Sequence, residues 1–232
     1  MPRDPRPLPG AALRTLLTVL LLAGVAPACA SALADASPPG ATKYTFDPAA
    51  SELYVLVRKD PDTIAAGLSH DHVVAATGWS GSVTIDPASP AGCTVEASVP
   101  VAGLEPDLPE MRELVGFAGE LTGAQRGDVR RNMLAKGQLW ADKFPSVTFR
   151  STACTKRDDG IDVVGDLGVH GVTKEVRIRV RLDFDEAAGT ARARGGFSAT
   201  HGDFGMVVYT ALFGSLKNMD LMEFRLDVVA KK

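Results

Sequence analysis

Residues 175–185, Glu-Val-Arg-Ile-Arg-Val-Arg-Leu-Asp-Phe-Asp, decide the fold. Apolar side chains take every second position of this stretch, and charged side chains fill the positions between them. A helix turns by about 100° per residue and would scatter the apolar set around its axis, whereas a strand places that set on one face. The stretch therefore predicts a β-strand with one buried face and one face in water.

The same two-residue period recurs over most of the chain after residue 43. The predicted strands are 52–58, 73–85, 95–101, 146–153, 161–169, 176–184, 190–199 and 221–229. Asp159-Gly160 between two of them is a strong hairpin signal. About eight antiparallel strands joined mostly by short turns predict an all-β fold, an eight-stranded antiparallel up-and-down barrel. A β-sandwich is the structural alternative.

One segment breaks the strand pattern. Between Leu108 and Asp142, apolar residues recur at three- and four-residue intervals: Leu114, Phe117, Ala118, Leu121, Val129 and Met133. This spacing predicts a short helical insertion of one or two helices, broken near Gly123.

The N-terminus has the pattern of an export signal. Arg3, Arg6 and Arg14 precede an apolar run over 16–25, and Ala28-Cys29-Ala30 follows it. We expect a signal peptide over 1–30, a flexible leader over 31–42 and a single domain over 43–231. The protein is then periplasmic or secreted, with no stable membrane insertion after cleavage. Lipid attachment at Cys29 is the alternative.

Charge argues against a nucleic-acid partner. The chain has 25 Lys and Arg against 28 Asp and Glu. Residues 1–30 contain three Arg and one Asp, which leaves 22 basic and 27 acidic residues and a net charge of −5. Binding to nucleic acid needs a positive surface that displaces counterions. A homodimer is compatible with this composition.

Three segments together resemble the YceI-like family: 143–151 (Lys-Phe-Pro-Ser-Val-Thr-Phe-Arg-Ser), 165–174 (Gly-Asp-Leu-Gly-Val-His-Gly-Val-Thr-Lys) and 202–206 (Gly-Asp-Phe-Gly-Met). The resemblance extends from about Tyr44 to Ala230. It implies a periplasmic, lipocalin-like barrel that binds polyisoprenoids or related long-chain amphiphiles. Two places depart from the family pattern: 126–134 matches it loosely, and Ser69-His-Asp-His72 is not a family feature.

The inward faces of the strands predict a ligand site for an apolar small molecule. Most of the side chains there are small or medium-sized and leave space inside the barrel. Because protein interiors are close-packed, such space must either collapse or hold a ligand. The predicted wall residues are Val55, Val57, Trp79, Val83, Val99, Phe149, Leu167, Ile178, Val180, Leu182, Phe224 and Leu226. The predicted lid residues are Leu114, Phe117, Leu121, Met133, Phe204, Met206 and Phe213. A bound isoprenoid or other lipid is expected, with no other cofactor: a polyisoprenoid, an isoprenoid quinone or a fatty-acid-like amphiphile.

No catalytic pattern stands out. The chain lacks a Gly-x-Ser-x-Gly elbow and a recognisable carboxylate pair, so we expect a binding protein and not an enzyme. The alternative is a metal- or His-dependent enzyme at the barrel mouth, using His70, His72, His201 and Asp203. His70 and His72 are weak candidates for metal ligands. They alternate in step with Val74 and Ser80, on the strand face that is predicted to point outside the barrel. His170 is expected to bond to the backbone of its own hairpin.

Cys93 and Cys154 are the cysteines left after the predicted cleavage. One begins the strand at 95–101 and the other ends the strand at 146–153, so antiparallel pairing would bring them together. A disulfide is then natural in an oxidising compartment. The alternation of the two strands, however, places the cysteine side chains on opposite faces of the sheet, unless a bulge or fraying shifts one strand end.

Overall fold

The computed structural model describes residues 40–232. The predicted signal peptide and residues 31–39 of the predicted leader lie outside the described residues. The first strand begins at Thr42, the residue where that leader was expected to end. No helix in the described part of the chain is both long and apolar enough to cross a bilayer.

The described residues form twelve strands and two α-helices. The strands are β1 Thr42–Phe46, β2 Glu52–Lys59, β3 His72–Ala76, β4 Ser80–Ile85, β5 Thr94–Pro100, β6 Leu104–Pro106, β7 Ser146–Arg157, β8 Gly160–Val169, β9 Val172–Asp185, β10 Thr190–Thr200, β11 Thr210–Ala211 and β12 Leu216–Lys231. The helices are α1 Pro109–Leu114 and α2 Gly123–Leu134. The helical insertion is therefore present, and α2 begins with a capping box between Thr122 and Gln125.

Pairing arranges eleven of these strands in eight paths around a closed barrel, and the short β11 pairs with the start of β12. β1 and β2 lie one after the other along β12. β4 pairs with β1, and β3 pairs with β2. β5 then pairs with β4, and β6 pairs with β3. β1 and β2, β3 and β4, and β5 and β6 thus each form one path with an interruption. β7, β8, β9, β10 and β12 are continuous paths, and every neighbour is antiparallel. The predicted fold class, an eight-stranded antiparallel barrel, is confirmed.

The three interruptions lie side by side. They fall at residues 47–51, 77–79 and 101–103. Tyr44 pairs with Val83 below them, and Ala76 pairs with Leu104 above them. A transverse seam therefore crosses three adjacent paths of the wall.

The prediction of one strand over 73–85 was wrong at this seam. Gly78 has a φ of +63° and separates β3 from β4. The break changes which residues face inward: Val74 and Ala76 do so in β3, whereas Trp79 and Val83 do so from there on. Val73 is completely buried on the outer side, where its carbonyl accepts from the amide of Asp107.

β7 contains the bulge that the cysteines require. Ser151 pairs with Gly165 and Ala153 with Val164, so Thr152 is an extra residue in the ladder. The bulge reverses the parity of the strand end and turns Cys154 toward Cys93. The structure contains the disulfide between them, with a Cα–Cα distance of 5.4 Å.

Gly195 and Gly196 lie in the middle of β10, which keeps regular register with β12 through both of them. The glycines permit close approach of the neighbouring strands. A Cβ on Gly195 would lie 1.9 Å from the carbonyl oxygen of Arg179, and one on Gly196 would lie 2.3 Å from that of Phe224. They allow the barrel to curve tightly at this point.

The two ends of the barrel differ. One end, which we call the closed end, is packed by Tyr44, Ile85, Ile161 and Ala230 together with the disulfide. At the opposite end, the mouth, α2 and the loops around residues 66–72 and 201–218 approach the opening. The hairpin turn at His170-Gly171 also lies at the mouth.

Candidate functional site

A cavity of about 540 Å³ runs along the inside of the barrel. This volume is within the range of small-molecule sites, and the lining is mostly apolar. Met222 and Ala230 of β12 both line it, and eight residues at about 3.3 Å each, on strands tilted by about 40°, cover about 20 Å of the axis. The cavity is thus long enough for an extended chain.

The predicted wall residues all line this cavity. They are Val55, Val57, Trp79, Val83, Val99, Phe149, Leu167, Ile178, Val180, Leu182, Phe224 and Leu226. Strand alternation alone placed them there, because each lies on the inward face of its path. Contact of these residues with a ligand stays a prediction.

The predicted lid is only partly present. Leu121, Met133 and Met206 line the cavity near the mouth. Leu114 and Phe117 do not, because α1 ends at Leu114 and the expected helical face does not continue to Phe117. Leu114 is 49% exposed, and the ring of Phe117 lies 5.0 Å from the guanidinium carbon of Arg58.

Phe204 and Phe213 were also placed wrongly. Phe204 is completely buried but packs with Leu167 and Met222 in the barrel core without reaching the cavity surface. Phe213 is fully exposed and has a φ of +54°. The tight turn at Leu212–Gly214 directs its ring into solvent.

Three phenylalanine side chains of the wall were missed by the sequence reasoning: Phe46, Phe184 and Phe197. Phe197 stacks on Phe224 at 4.4 Å between ring centroids, and Phe46 lies 5.5 Å from Trp79. The signal was available for Phe184 and Phe197, because both share the inward parity of their strands. The aromatic rings narrow the lumen, and space for a ligand persists beside them.

Polar side chains line the mouth end of the cavity. They include Ser69, His70, His72, His201 and Asn218. The prediction that His70 and His72 point outside the barrel was wrong. They do share parity with Val74, but the break at Gly78 makes that face the inner one.

His72 is held by the carboxylate of Asp107, which forms a buried ion pair with Arg112. Its Nδ1 lies 2.7 Å from Oδ2 of Asp107, whose other oxygen accepts from Nη1 of Arg112 at 2.8 Å and from the amide of Val73 at 3.2 Å. Burial alone would raise the pKa of Asp107. Hydrogen bonding and charge attraction from His72, with the bonds from Val73 and Arg112, outweigh burial and hold that pKa below its ordinary value.

Arg112 is buried and directed away from the cavity. Besides Asp107, its guanidinium donates to the backbone carbonyls of Asp71, Ala118 and Gly119, each at 2.8 Å. It therefore fixes the loop after α1 and compensates the charge of Asp107. The position of His72 depends both on the fixed loop and on the compensated charge of Asp107.

His201 is fixed in a similar way. Its Nδ1 lies 2.8 Å from the carbonyl oxygen of Asp220, which implies that Nδ1 carries the proton and donates it. The side chain is buried and lines the cavity. Asp203, which the enzyme alternative grouped with it, instead accepts from the amide and hydroxyl of Thr200 at 2.8 and 2.7 Å. Those bonds lower the pKa of Asp203, and its side chain lies outside the cavity.

A metal centre does not assemble from these groups. Within residues 40–232, no three His, Cys, Asp or Glu side chains approach closely enough to hold a metal ion. His70, His72 and His201 contribute polar groups to the mouth without forming such a cluster.

A family model described as the YceI-like domain matches residues 44–230, most of the chain. The chain belongs to the YceI-like family. Protein YceI of Escherichia coli O17:K52:H18 is 42% identical over 59 residues, which are 25% of this chain and 30% of that protein. A UPF0312 protein of Yersinia pestis is 40% identical over 52 residues, 22% of this chain and 27% of that protein. The matched segments thus span less than a third of these curated relatives.

Solved structures support the YceI-like fold. BcnA of Burkholderia cenocepacia has a TM-score of 0.59 at 17% identity, covering 80% of this chain and 99% of that one. The YceI protein of Campylobacter jejuni has a TM-score of 0.52 at 14% identity, covering 68% and 84%. At these identities the comparison shows the fold alone.

The three segments that resemble the YceI-like family meet around His170. The turn His170-Gly171 has φ values of +53° and +75°, and a Cβ on Gly171 would lie 2.3 Å from the ring of Phe144. The His170 ring packs edge-on against Phe144 at 5.3 Å, and its Nδ1 lies 3.1 Å from the carbonyl oxygen of Phe204. His170 thus bonds to backbone as expected, but to the segment 202–206 and not to its own hairpin.

Proposed function

We propose that this protein binds a long-chain apolar amphiphile inside the barrel and carries it through the periplasm after export. The ligand is a polyisoprenoid, an isoprenoid quinone or a fatty-acid-like molecule. The observation that carries the proposal is the cavity of about 540 Å³, which is apolar along its length and extends from the mouth toward the closed end. The family supports a binding role, and the periplasmic carrier role rests on the predicted signal peptide.

Burial of the chain supplies the binding energy. Each buried CH₂ group contributes about 0.8 kcal/mol, so a chain of about ten such groups gains about 8 kcal/mol before the entropic cost of association. A charged clamp along the wall is not needed. The ligand lies with its apolar end at the closed end and its polar end at the mouth, because the buried polar side chains of the lining lie at the mouth.

Binding without turnover fits the mouth better than catalysis does. In the described part of the chain, the hydrogen-bond partner of the His72 ring is Asp107, and no Ser or Cys side chain bonds to either nitrogen. A His-activated nucleophile would need such a contact. Bound lipid should therefore be recovered chemically unaltered.

Native mass spectrometry of protein exported with its own N-terminus and purified from the periplasm tests the proposal. We expect the wild type to retain a lipid. Val180→Arg places a charge in the lumen and should abolish retention, whereas Thr173→Arg on the exposed face of the same strand should not. Val57→Phe, which fills part of the cavity without adding charge, should weaken retention while the fold is kept.

Two results would contradict the proposal. One is a wild-type protein that never contains lipid and does not take up added fatty acid or isoprenoid. The other is a folded Val180→Arg protein that retains lipid as the wild type does. Circular dichroism of each variant separates loss of binding from loss of fold.

A further inference from the structure

The buried polar groups of the protein are concentrated at one place. Among the described residues, the buried polar or charged side chains are Ser69, Asp107, Arg112, Asp162, His201 and Asn218. Asp162 is paired with Arg157 and Arg177 on the outer surface of the barrel. The other five lie at the mouth, in the lining or directly behind it. Burial of polar groups is unfavourable unless they find partners, so this concentration requires an explanation.

The pairing register brings the imidazoles of His72 and His201 to one level. His72 pairs with Val57, Val57 with Met222, and Met222 with Ala199 across four neighbouring paths. His201 follows Ala199 by two residues. His72 and His201 therefore lie at the same end of the cavity, with Asn218 of β12 between their strands.

Both imidazoles use Nδ1 for the protein and leave Nε2 for the cavity. Nδ1 of His72 bonds to Asp107 and Nδ1 of His201 bonds to the carbonyl of Asp220. No residue in the range 40–232 forms a hydrogen bond to Nε2 of either ring. In a neutral imidazole with Nδ1 protonated, Nε2 is a hydrogen-bond acceptor.

The charges near the cavity argue against a strongly anionic head group. Arg192 and Arg225 line the cavity, but they pair with Asp227 and Glu223. Arg112 donates to Asp107 and to backbone carbonyls. No unpaired guanidinium remains among the described lining residues to hold a phosphate in the bidentate manner that Arg provides.

We propose that His72, with His201 and Asn218, forms a head-group site that recognises an O–H group at the end of the apolar chain: an alcohol or a phenol. The O–H donates to Nε2 of His72, and the side chains of Asn218 and Ser69 supply donors for the oxygen. Asp107 and Arg112 position the His72 ring. This inference rests on the proposed function and specifies which class of amphiphile the cavity selects.

Matched probes that differ only at the O–H test the site. Farnesol is compared with farnesyl methyl ether, and a farnesyl-substituted phenol with its methyl ether, by fluorescence or calorimetric titration of the lipid-free protein. For at least one pair, we expect the O–H form to bind about fivefold tighter, which is the effect of one ordinary hydrogen bond. The pair with the larger ratio identifies the head group as an alcohol or a phenol.

Two variants locate the effect. His72→Phe keeps a planar ring of similar size but removes the acceptor, so the ratio should fall to about one while the ether keeps its affinity. Val83→Ala, deep in the wall, should weaken both members of a pair equally and leave their ratio unchanged. If His72→Phe does not fold, ¹⁵N spectra of the wild type give the same information: the O–H probe should shift Nε2 of His72, and the methylated probe should not.

The outcomes separate this inference from the carrier function. If no probe binds, the proposed function fails. If both members of each pair bind with equal affinity and neither shifts Nε2 of His72, the carrier function stands and the head-group site is overturned.

Discussion

The closed end and the mouth of the barrel are built from the same strands but with opposite chemistry. At the closed end, apolar side chains such as Tyr44 and Ile161 pack tightly beside a disulfide. At the mouth, buried polar groups such as Asp107 and His201 are held by specific hydrogen bonds. The closed end thus contributes apolar packing and a covalent link, whereas the mouth contributes a buried charge network that also adds to stability. If the mouth binds the head group as proposed, affinity can be changed there without any change to the packing of the closed end.

Removal of the disulfide should have the largest effect on this comparison. Cys93 and Cys154 are 61 residues apart, and opening a loop of that size destabilises the fold by about 4 kcal/mol in the chain-entropy account. Urea unfolding of the Cys93→Ala/Cys154→Ala protein checks this expectation. Wild-type affinity for lipid in the folded double variant would support independence of the ends, and a lost affinity would argue against it.

Replacement of Asp107 at the mouth should have the next largest effect. Asp107→Asn keeps the size of the side chain and tolerates the φ of +53°, but it leaves Arg112 buried without a compensating charge. We expect a loss of about 3 kcal/mol at neutral pH, measured by urea unfolding. Glu96→Gln, which removes an exposed ion pair with Arg150, is the control and should change stability by less than about 1 kcal/mol.

The Asp107→Asn variant also predicts the direction in which stability changes with pH. The pKa of Asp107 is lowered in the folded protein, so its contribution to stability is present above the unfolded pKa of about 4 and is lost as pH falls through the folded value. The stability difference between wild type and Asp107→Asn should therefore shrink as pH is lowered below about 4. A constant difference across that range would show that the carboxylate charge is not what stabilises the mouth.

The smallest effect concerns the exposed rim. Phe213 is in the left-handed region and its ring is fully exposed, so Phe213→Gly removes strain and loses no packing. We expect a gain of about 1 kcal/mol, seen as a higher Tm. Thr210→Gly in β11, where the backbone is an ordinary strand, should lower the Tm instead. If both glycines lower it, Phe213 has a packing role that its exposure does not show.

Much of the wall could be predicted from the sequence because alternation is a local property. Val180 and Leu182 are inward for the same reason that Arg179 and Arg181 are outward, and no distant contact is needed to decide it. The same local rule failed at Gly78. The positive φ of this one residue interrupts the alternation, so the residues before it face the opposite side of the wall from the side that was predicted. His70 and His72 were misplaced by that one break.

The mouth could not be predicted, because its partners are distant in sequence. Asp107 reaches His72 only because β6 pairs with β3, and that pairing follows the interruption at 101–103. No local pattern in the sequence singles out Arg112 as the partner of Asp107. Phe117 and Leu121 repeated at helical spacing although α1 had already ended at Leu114, which shows how little periodicity reveals about short helices under tertiary control.

The seam across the first three strand paths has a mechanical consequence. A continuous path such as β9 resists bending because every residue adds to its ladder of backbone hydrogen bonds. Where three neighbouring paths are interrupted at one level, the ladder is locally incomplete, and the wall there is more compliant than on the side formed by β7 to β10. We therefore expect an anisotropic shell, with one stiff side and one more compliant side. If the lumen changes shape when a ligand enters, the change should occur at the seam and leave the stiff side as it is.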